Sequence, residues 1–131
     1  MVGNGLLIRS RKFNRVEISV AAAARLELGS RVFLNQGVRI ACSVGITIGD
    51  NTLIGDETVI LDSDYHGVGG SSAKAAPVHI ESDVWIATRV IILRGVTIGQ
   101  GSAIGAGSVV TKSIPPGVFA AGVPARVIRS I

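Results

Sequence analysis

Aliphatic residues recur at every sixth position along most of this 131-residue chain. Ile80, Ile86, Ile92, Ile98, Ile104 and Val110 hold one unbroken register. Four positions after each stands a small or branched residue: Val84, Val90, Val96, Ser102, Ser108 and Ile114. Upstream, Ile48, Ile54 and Ile60 repeat the spacing, with Thr52 and Thr58 as partners of the first two. A slip of two residues follows. Beyond it the rhythm runs back through Ile40, Leu34, Leu28, Ala22 and Val16, with Val44, Val38, Val32, Leu26 and Val20 as partners.

A helix repeats at 3.6 residues and a simple strand at two, so neither accounts for a period of six. Six is the period of a parallel β-helix, in which each short strand points its aliphatic residue inward and the next residues turn a corner. Three hexads complete one coil of a triangular prism. About fourteen hexads predict four to five coils, and stacking at about 4.8 Å makes the prism roughly 20 Å tall. A β-sandwich of ordinary strands would not hold one register from residue 80 to 114. The slip predicts a bulge or a longer corner. "AAAAR", Ala21 to Arg25, has helix propensity but fits the register with Ala22 inward, and so reads as part of a coil. Gly99 and Gly105, directly after aliphatic residues, predict positive φ or close backbone approach.

Between Ile60 and Ile80 the register is lost. The stretch "ILDSDYHGVGGSSAKAAPVHI" holds the chain's only two histidines, His66 and His79. It reads as a protruding loop over about residues 62–78, in a single all-β domain over 1–131 with a C-terminal tail over about 115–131. On the residues alone, His66 is equally a general base and an idle loop histidine. His79 neighbours the inward Ile80 and is expected to face solvent. Asp62 and Asp64 flank His66, and three roles fit them: orienting His66, meeting an acceptor hydroxyl, or simple solvation.

Composition excludes several classes. Hydrophobic residues make up 47%, aromatic residues 4%, and there are 17 glycines, which suits a core of branched side chains with many tight turns. The net charge of +4 does not form one basic stripe. Arg9, Arg11, Lys12 and Arg15 lie near the start, and Lys112, Arg126 and Arg129 near the end. With so few aromatic platforms, no nucleic-acid partner is expected. The apolar run from Val118 to Ala125 contains Gly122 and Pro124 and is too short for a membrane span. No secretory h-region opens the chain. The lone Cys42 forms no disulfide framework, fits a reducing compartment and has no metal-ligand companion, so a cytoplasmic protein without metal is expected. No phosphate-loop motif occurs in the glycine-rich tracts.

The block "VWIATRVIILRGVTIGQGSAIGAGSVVTKSIPPGVFAAGVPARVIR", Val84 to Arg129, resembles the hexapeptide-repeat acetyltransferases, in particular the galactoside and maltose O-acetyltransferases and their polysaccharide-modifying relatives. The resemblance is dense over 77–129 and looser over 28–66. It implies a left-handed coil, a homotrimer with active sites between neighbouring prisms, acetyl-CoA as donor and a small saccharide as acceptor. The family's catalytic histidine precedes a protruding loop, then "P-I-x-I" and "VWIG". Here His66 precedes such a loop, then "PVHI" and "VWIA".

The resemblance implies a catalytic role for His66, and contact with acceptor and reacting carbonyl for Asn35. It places Trp85 at the acceptor end of the cleft, where Asp64, beside His66, is also expected to meet the substrate. Trp85, Ala87, Thr88, Ala106, Thr111, Lys112, Arg126 and Arg129 fall at coenzyme-binding positions, the last two and Lys112 at the phosphate end. Ala87 stands where the family has glycine, which adds a methyl beside the coenzyme and predicts strain if that position needs positive φ. The loop after His66 is shorter than the family's, and no counterpart of the galactoside and maltose enzymes' N-terminal helical segment is seen.

The expected activity is O-acetylation of a saccharide hydroxyl by direct transfer, with His66 as base. Alternatives are N-acetylation of an amino sugar or drug, and an inactive scaffold motivated by Ala87. A γ-type carbonic anhydrase would need three histidines. An ice-binding face would need its threonines in one register, which Thr47, Thr52, Thr58, Thr88, Thr97 and Thr111 do not hold.

Overall fold

The computed structural model describes all residues, 1–131, and contains strands and turns but no α-helix. The first coil is β1 (Leu7–Ile8), β2 (Glu17–Val20) and β3 (Arg25–Leu28); the second is β4 (Phe33–Leu34), β5 (Arg39–Cys42) and β6 (Gly45–Ile48). The third is β7 (Leu53–Ile54), β8 (Val59–Leu61) and β9 (Val78–Ile80); the fourth is β10 (Trp85–Ile86), β11 (Ile91–Ile92) and β12 (Thr97–Ile98). A fifth begins with β13 (Ala103–Ile104) and β14 (Val109–Val110). Equivalent strands of successive coils pair in parallel, giving three sheets: face 1 through β1 and β13, face 2 through β2 and β14, face 3 through β3 and β12. The expected fold class, an all-β parallel β-helix with one protruding loop, is the fold found.

Inward side chains stack in three columns. On face 1, Leu34 lies between Ile8 and Ile54, and Ile86 and Ile104 continue the column. Ile40, Ile60, Ile92 and Val110 line face 2, and Leu28, Ile48, Ile80 and Ile98 line face 3. Most are fully buried, each worth roughly 1.5–3 kcal/mol against exposure. Thr52 and Thr58 also point inward. Their hydroxyls donate to the carbonyls of Glu81 and Ala87 in the coil above, both at 3.0 Å, so neither buried hydroxyl is left unpaired.

One departure from the hexad, between Ile8 and Ile18 in the first coil, lies at the corner of faces 1 and 2; all the others collect at the corner between faces 2 and 3. The inward residues on its two sides are Ile18 and Leu28, Ile40 and Ile48, Ile60 and Ile80, and Ile92 and Ile98. The slip is therefore a longer corner. It changes which residues point inward: Cys42 and Ile46 are buried, whereas Val44, expected inside, is exposed. In the first coil Ile18, not Val16, lies under Ile40. Val16 is half-buried and Ala22 is exposed in a turn, because this coil carries extra corner residues that a strict count of six misplaces. Val20, expected inside as a partner, is also exposed.

Gly99 and Gly105 reflect close approach rather than positive φ. A Cβ on Gly105 would sit 2.8 Å from that of Ala121. Residues 115–131 form β15 (Val118–Gly122), which stacks on β13, and β16 (Ala125–Ser130), antiparallel to β15. Ala120 and Ala125 are buried at this end of the core. No helix is long and apolar enough to cross a membrane.

Candidate active site

After Leu61 the chain leaves the wall at the corner of faces 2 and 3 and folds into a short finger. The Asp64 amide donates to the Lys74 carbonyl at 2.9 Å and the Ala76 amide to the Asp62 carbonyl at 3.0 Å, with a bridge between Ser63 and Ala75. His66 is exposed on this finger. With Asp64, Lys74, Arg94 and Ser71 it lines a shallow pocket of about 280 Å³. Its amide donates to the Asp64 carbonyl at 2.7 Å across Tyr65, whose φ is +61°. That is a tight, strained turn for a residue with a bulky side chain.

The two aspartates do different things. The Asp64 carboxylate accepts from Arg94 Nε at 2.8 Å, in the coil above. Asp62 is fully buried and turned away from the finger. Its Oδ1 accepts the Ser43 amide at 2.7 Å, and its Oδ2 those of Val44 at 2.8 Å and Gly45 at 2.7 Å. Asp62 is therefore neither solvated nor in contact with an acceptor.

Cys42, remote from His66 along the chain, lies under Asp62 because β5 and β8 pair in register. Burial, reinforced by the Asp62 charge, pushes its thiol pKa up, so it is a poor nucleophile. His79 faces outward as expected and its Nδ1 is 2.7 Å from the Thr47 hydroxyl. It belongs to face 3, where a hollow of about 690 Å³ runs past Thr47, His79 and Thr97. That trough is open and shares no lining residue with the pocket beside His66, and no group of side chains suited to a metal occurs anywhere in the structure.

A second set of expected residues lies at the corner between faces 1 and 2. Asn35, Gly55, Ala87 and Gly105 each follow an inward residue of face 1 and hydrogen-bond upward through their amides, forming one column. Asn35 is half-buried, and its Oδ1 accepts the Gln36 amide at 2.9 Å. Only an oxygen can accept from an N–H, which orients the side chain and leaves its NH₂ free to donate. Ala87 does not have positive φ; Arg89, two residues on, does. The alanine therefore carries no backbone strain. Thr88 and Ala106 are exposed beside this column, and Trp85 faces outward between Leu53 and Ala103 with 57% exposure.

The third set lies at the C-terminal end of the prism. Lys112 and Arg126 line one small cleft, with Thr111 exposed beside Lys112. Arg129 lies apart from them, 5.9 Å from the Phe119 ring. None of these cations makes an ion pair. Small side chains line the corner column, and unpaired cations stand at the same end of the prism as its top, Lys112 following β14 at the corner of faces 2 and 3; both suit an extended, phosphate-bearing coenzyme.

One chain thus holds its expected site residues in separated places. Asn35 and Trp85 lie on one corner, His66 and Asp64 on the next, with the width of face 2 between them. Sequence reading missed Arg94 and the Ser43–Gly45 cradle. Both lie one coil away from the aspartates they hold, and only the stacking register reveals such neighbours.

Residues 77–112 match the family model described as bacterial transferase hexapeptide (six repeats). The chain is 44% identical over 113 residues to the galactoside O-acetyltransferase of Escherichia coli K12, covering 82% of this chain and 55% of that protein. It therefore spans little more than half the length of that relative. Among solved structures, a maltose O-acetyltransferase from Clostridium difficile 630 superposes with a TM-score of 0.86 at 33% identity, covering 99% of this chain and 68% of that one. A hexapeptide-repeat acetyltransferase from Vibrio cholerae, complexed with acetyl coenzyme A, superposes with a TM-score of 0.82 at 33% identity, covering 97% and 71%.

Proposed function

This chain belongs to the hexapeptide-repeat acetyltransferases, and we propose that it moves the acetyl group of acetyl-CoA to a hydroxyl of a saccharide within a homotrimer. The observation that carries this reading is the division of the site between two corners that flank face 2. His66, the proposed base, lies on one corner, and Asn35, whose free NH₂ is the proposed donor to the reacting carbonyl, lies on the other. If face 2 turns toward a three-fold axis, the finger of one copy meets the Asn35 corner of the next. The outward column of that face is apolar from the third coil to the fifth, with Val59, Ile91 and Val109 in register, and charged below, at Arg39 and Glu17. Such a column is suited to burial against other copies.

In this site His66 takes the proton of the acceptor hydroxyl. The hydroxyl oxygen bonds to the thioester carbonyl carbon, and the Asn35 NH₂ donates to the oxygen on which charge develops. The carbon–sulfur bond breaks, and the departing thiolate recovers the proton from His66. Lys112 and Arg126 complement the coenzyme phosphates, and Trp85 borders the acceptor. No side chain here is suited to an acyl-enzyme: the Cys42 thiol is buried and its pKa is raised, and the Ser71 hydroxyl in the His66 pocket donates to the Val68 carbonyl at 2.7 Å. Transfer is therefore direct.

A thiol-release assay with acetyl-CoA and a panel of sugars and amino sugars tests the proposal. Release that depends on a saccharide, with an ester product, is the expected result. An amide product would reassign the acceptor to an amine. Coenzyme binding without release for any acceptor would make the chain an inactive scaffold.

A further inference from the structure

A Gly/Ser-rich insertion such as residues 67–72 is a poor platform for a catalytic base, which has to be held to within a fraction of an ångström. Something must fix its root. On the reading that His66 is the base, we propose that Asp62 is its positioning residue. Seated in the backbone cradle of Ser43, Val44 and Gly45, the Asp62 carboxylate ties the finger that carries His66 to the coil below.

The longer corner and the aspartate explain each other. Three consecutive amides converge on one carboxylate, at 2.7, 2.8 and 2.7 Å, using both of its oxygens. A chain of backbone amides turned to one side is an anion-binding concavity, and the corner between Ile40 and Ile48 has the extra length to form one. Asp62 fills it from the third coil and is fully buried there.

From Asp62 the restraint passes to His66 in few steps. The Asp62 carbonyl accepts the Ala76 amide at 3.0 Å, which closes the base of the finger. The Asp64 amide pairs with the Lys74 carbonyl at 2.9 Å, and the Asp64 carbonyl accepts the His66 amide at 2.7 Å. An upper tether complements the lower one. Arg94 holds the Asp64 carboxylate at 2.8 Å, and the Gly95 amide donates to the Ala76 carbonyl at 3.1 Å. The strained φ of +61° at Tyr65 is thereby enclosed between anchored segments, the setting in which a strained backbone persists. Asp62 does not touch His66; it acts through the finger.

Asp62→Asn in the full chain is the test, since asparagine keeps the shape but turns an NH₂ toward one of the three donors. The expected result is a fall in kcat of roughly 100-fold, the usual cost of a misplaced group, with the Kd for acetyl-CoA unchanged. Amide exchange over residues 63–76 should quicken while β10 and β11 stay protected. Combined with His66→Ala, the change should cost no further activity, because a displaced finger has no base left to misplace. Should the asparagine variant melt below the assay temperature, Asp62→Ser, whose hydroxyl still accepts one amide, should give an intermediate loss. A folded variant with wild-type kcat and an unchanged finger would overturn the proposal, as would a full additional loss in the double variant. If the wild-type chain transfers no acetyl group, the functional reading fails, and the exchange measurement alone decides whether Asp62 holds the finger.

Discussion

His66→Ala should lower saccharide-dependent thiol release by roughly 100- to 10,000-fold, the contribution of a positioned general base. A hydroxyl attacks a thioester poorly until its proton has somewhere to go, and His66 is the only histidine on the finger, the side chain best suited to general-base work. Acetyl-CoA binding should be retained, because the elements proposed to hold the coenzyme are elsewhere. Lys112 and Arg126 lie at the far end of the prism, and Thr88 and Ala106 on the other corner. The variant should also keep its stability, since His66 is exposed and its side chain is not part of the core. Loss of coenzyme binding together with turnover would place His66 in a different role, and full turnover would remove it from the mechanism.

The second large effect concerns assembly. Ile91 sits outward at 38% exposure in β11, between Val59 below and Val109 above. In a single chain Ile91→Asp is a surface change, worth within about 0.5 kcal/mol. In a three-fold ring every contact would receive the same buried, unpaired carboxylate, and each burial is costly. Sedimentation should therefore show a folded species near the single-chain mass of 13.5 kDa in place of one three times heavier. Activity should fall with it, because finger and Asn35 corner would no longer meet. An intact trimer, or a monomer with full activity, would contradict the arrangement.

The hexad register made the prism legible from Ile48 onward. From there it named the inward residues of the walls, including the polar partners Thr52, Thr58, Ser102 and Ser108, but not Asp62 and Val78 at the two ends of the finger, both fully buried. It failed at Val16, Ala22, Val20 and Val44 because counting in sixes assumes equal corners, whereas the corners on both sides of Ile18 and the one between Ile40 and Ile48 are longer. The site was legible as a set of residues rather than as geometry. Cys42 and Asp62 are distant in the chain but stacked in space, and Asp64 finds Arg94 one coil up. Parallel stacking creates such pairs, and unequal corners hide their spacing. The strain expected at Ala87 is absent because the left-handed position falls at Arg89.

The central claim, a site divided between chains, is tested most directly by mixing two disabled variants. Asn35→Ala should lose the donor to the reacting carbonyl, worth roughly 100- to 1,000-fold, and His66→Ala should lose the base. In rings assembled from both chains, a finger from the first can face an intact Asn35 corner on the second. At equal amounts and random assembly, about a quarter of the contacts should pair in this way. The account predicts recovery to about that fraction of wild-type activity. Co-assembled rings no more active than either variant alone would contradict it.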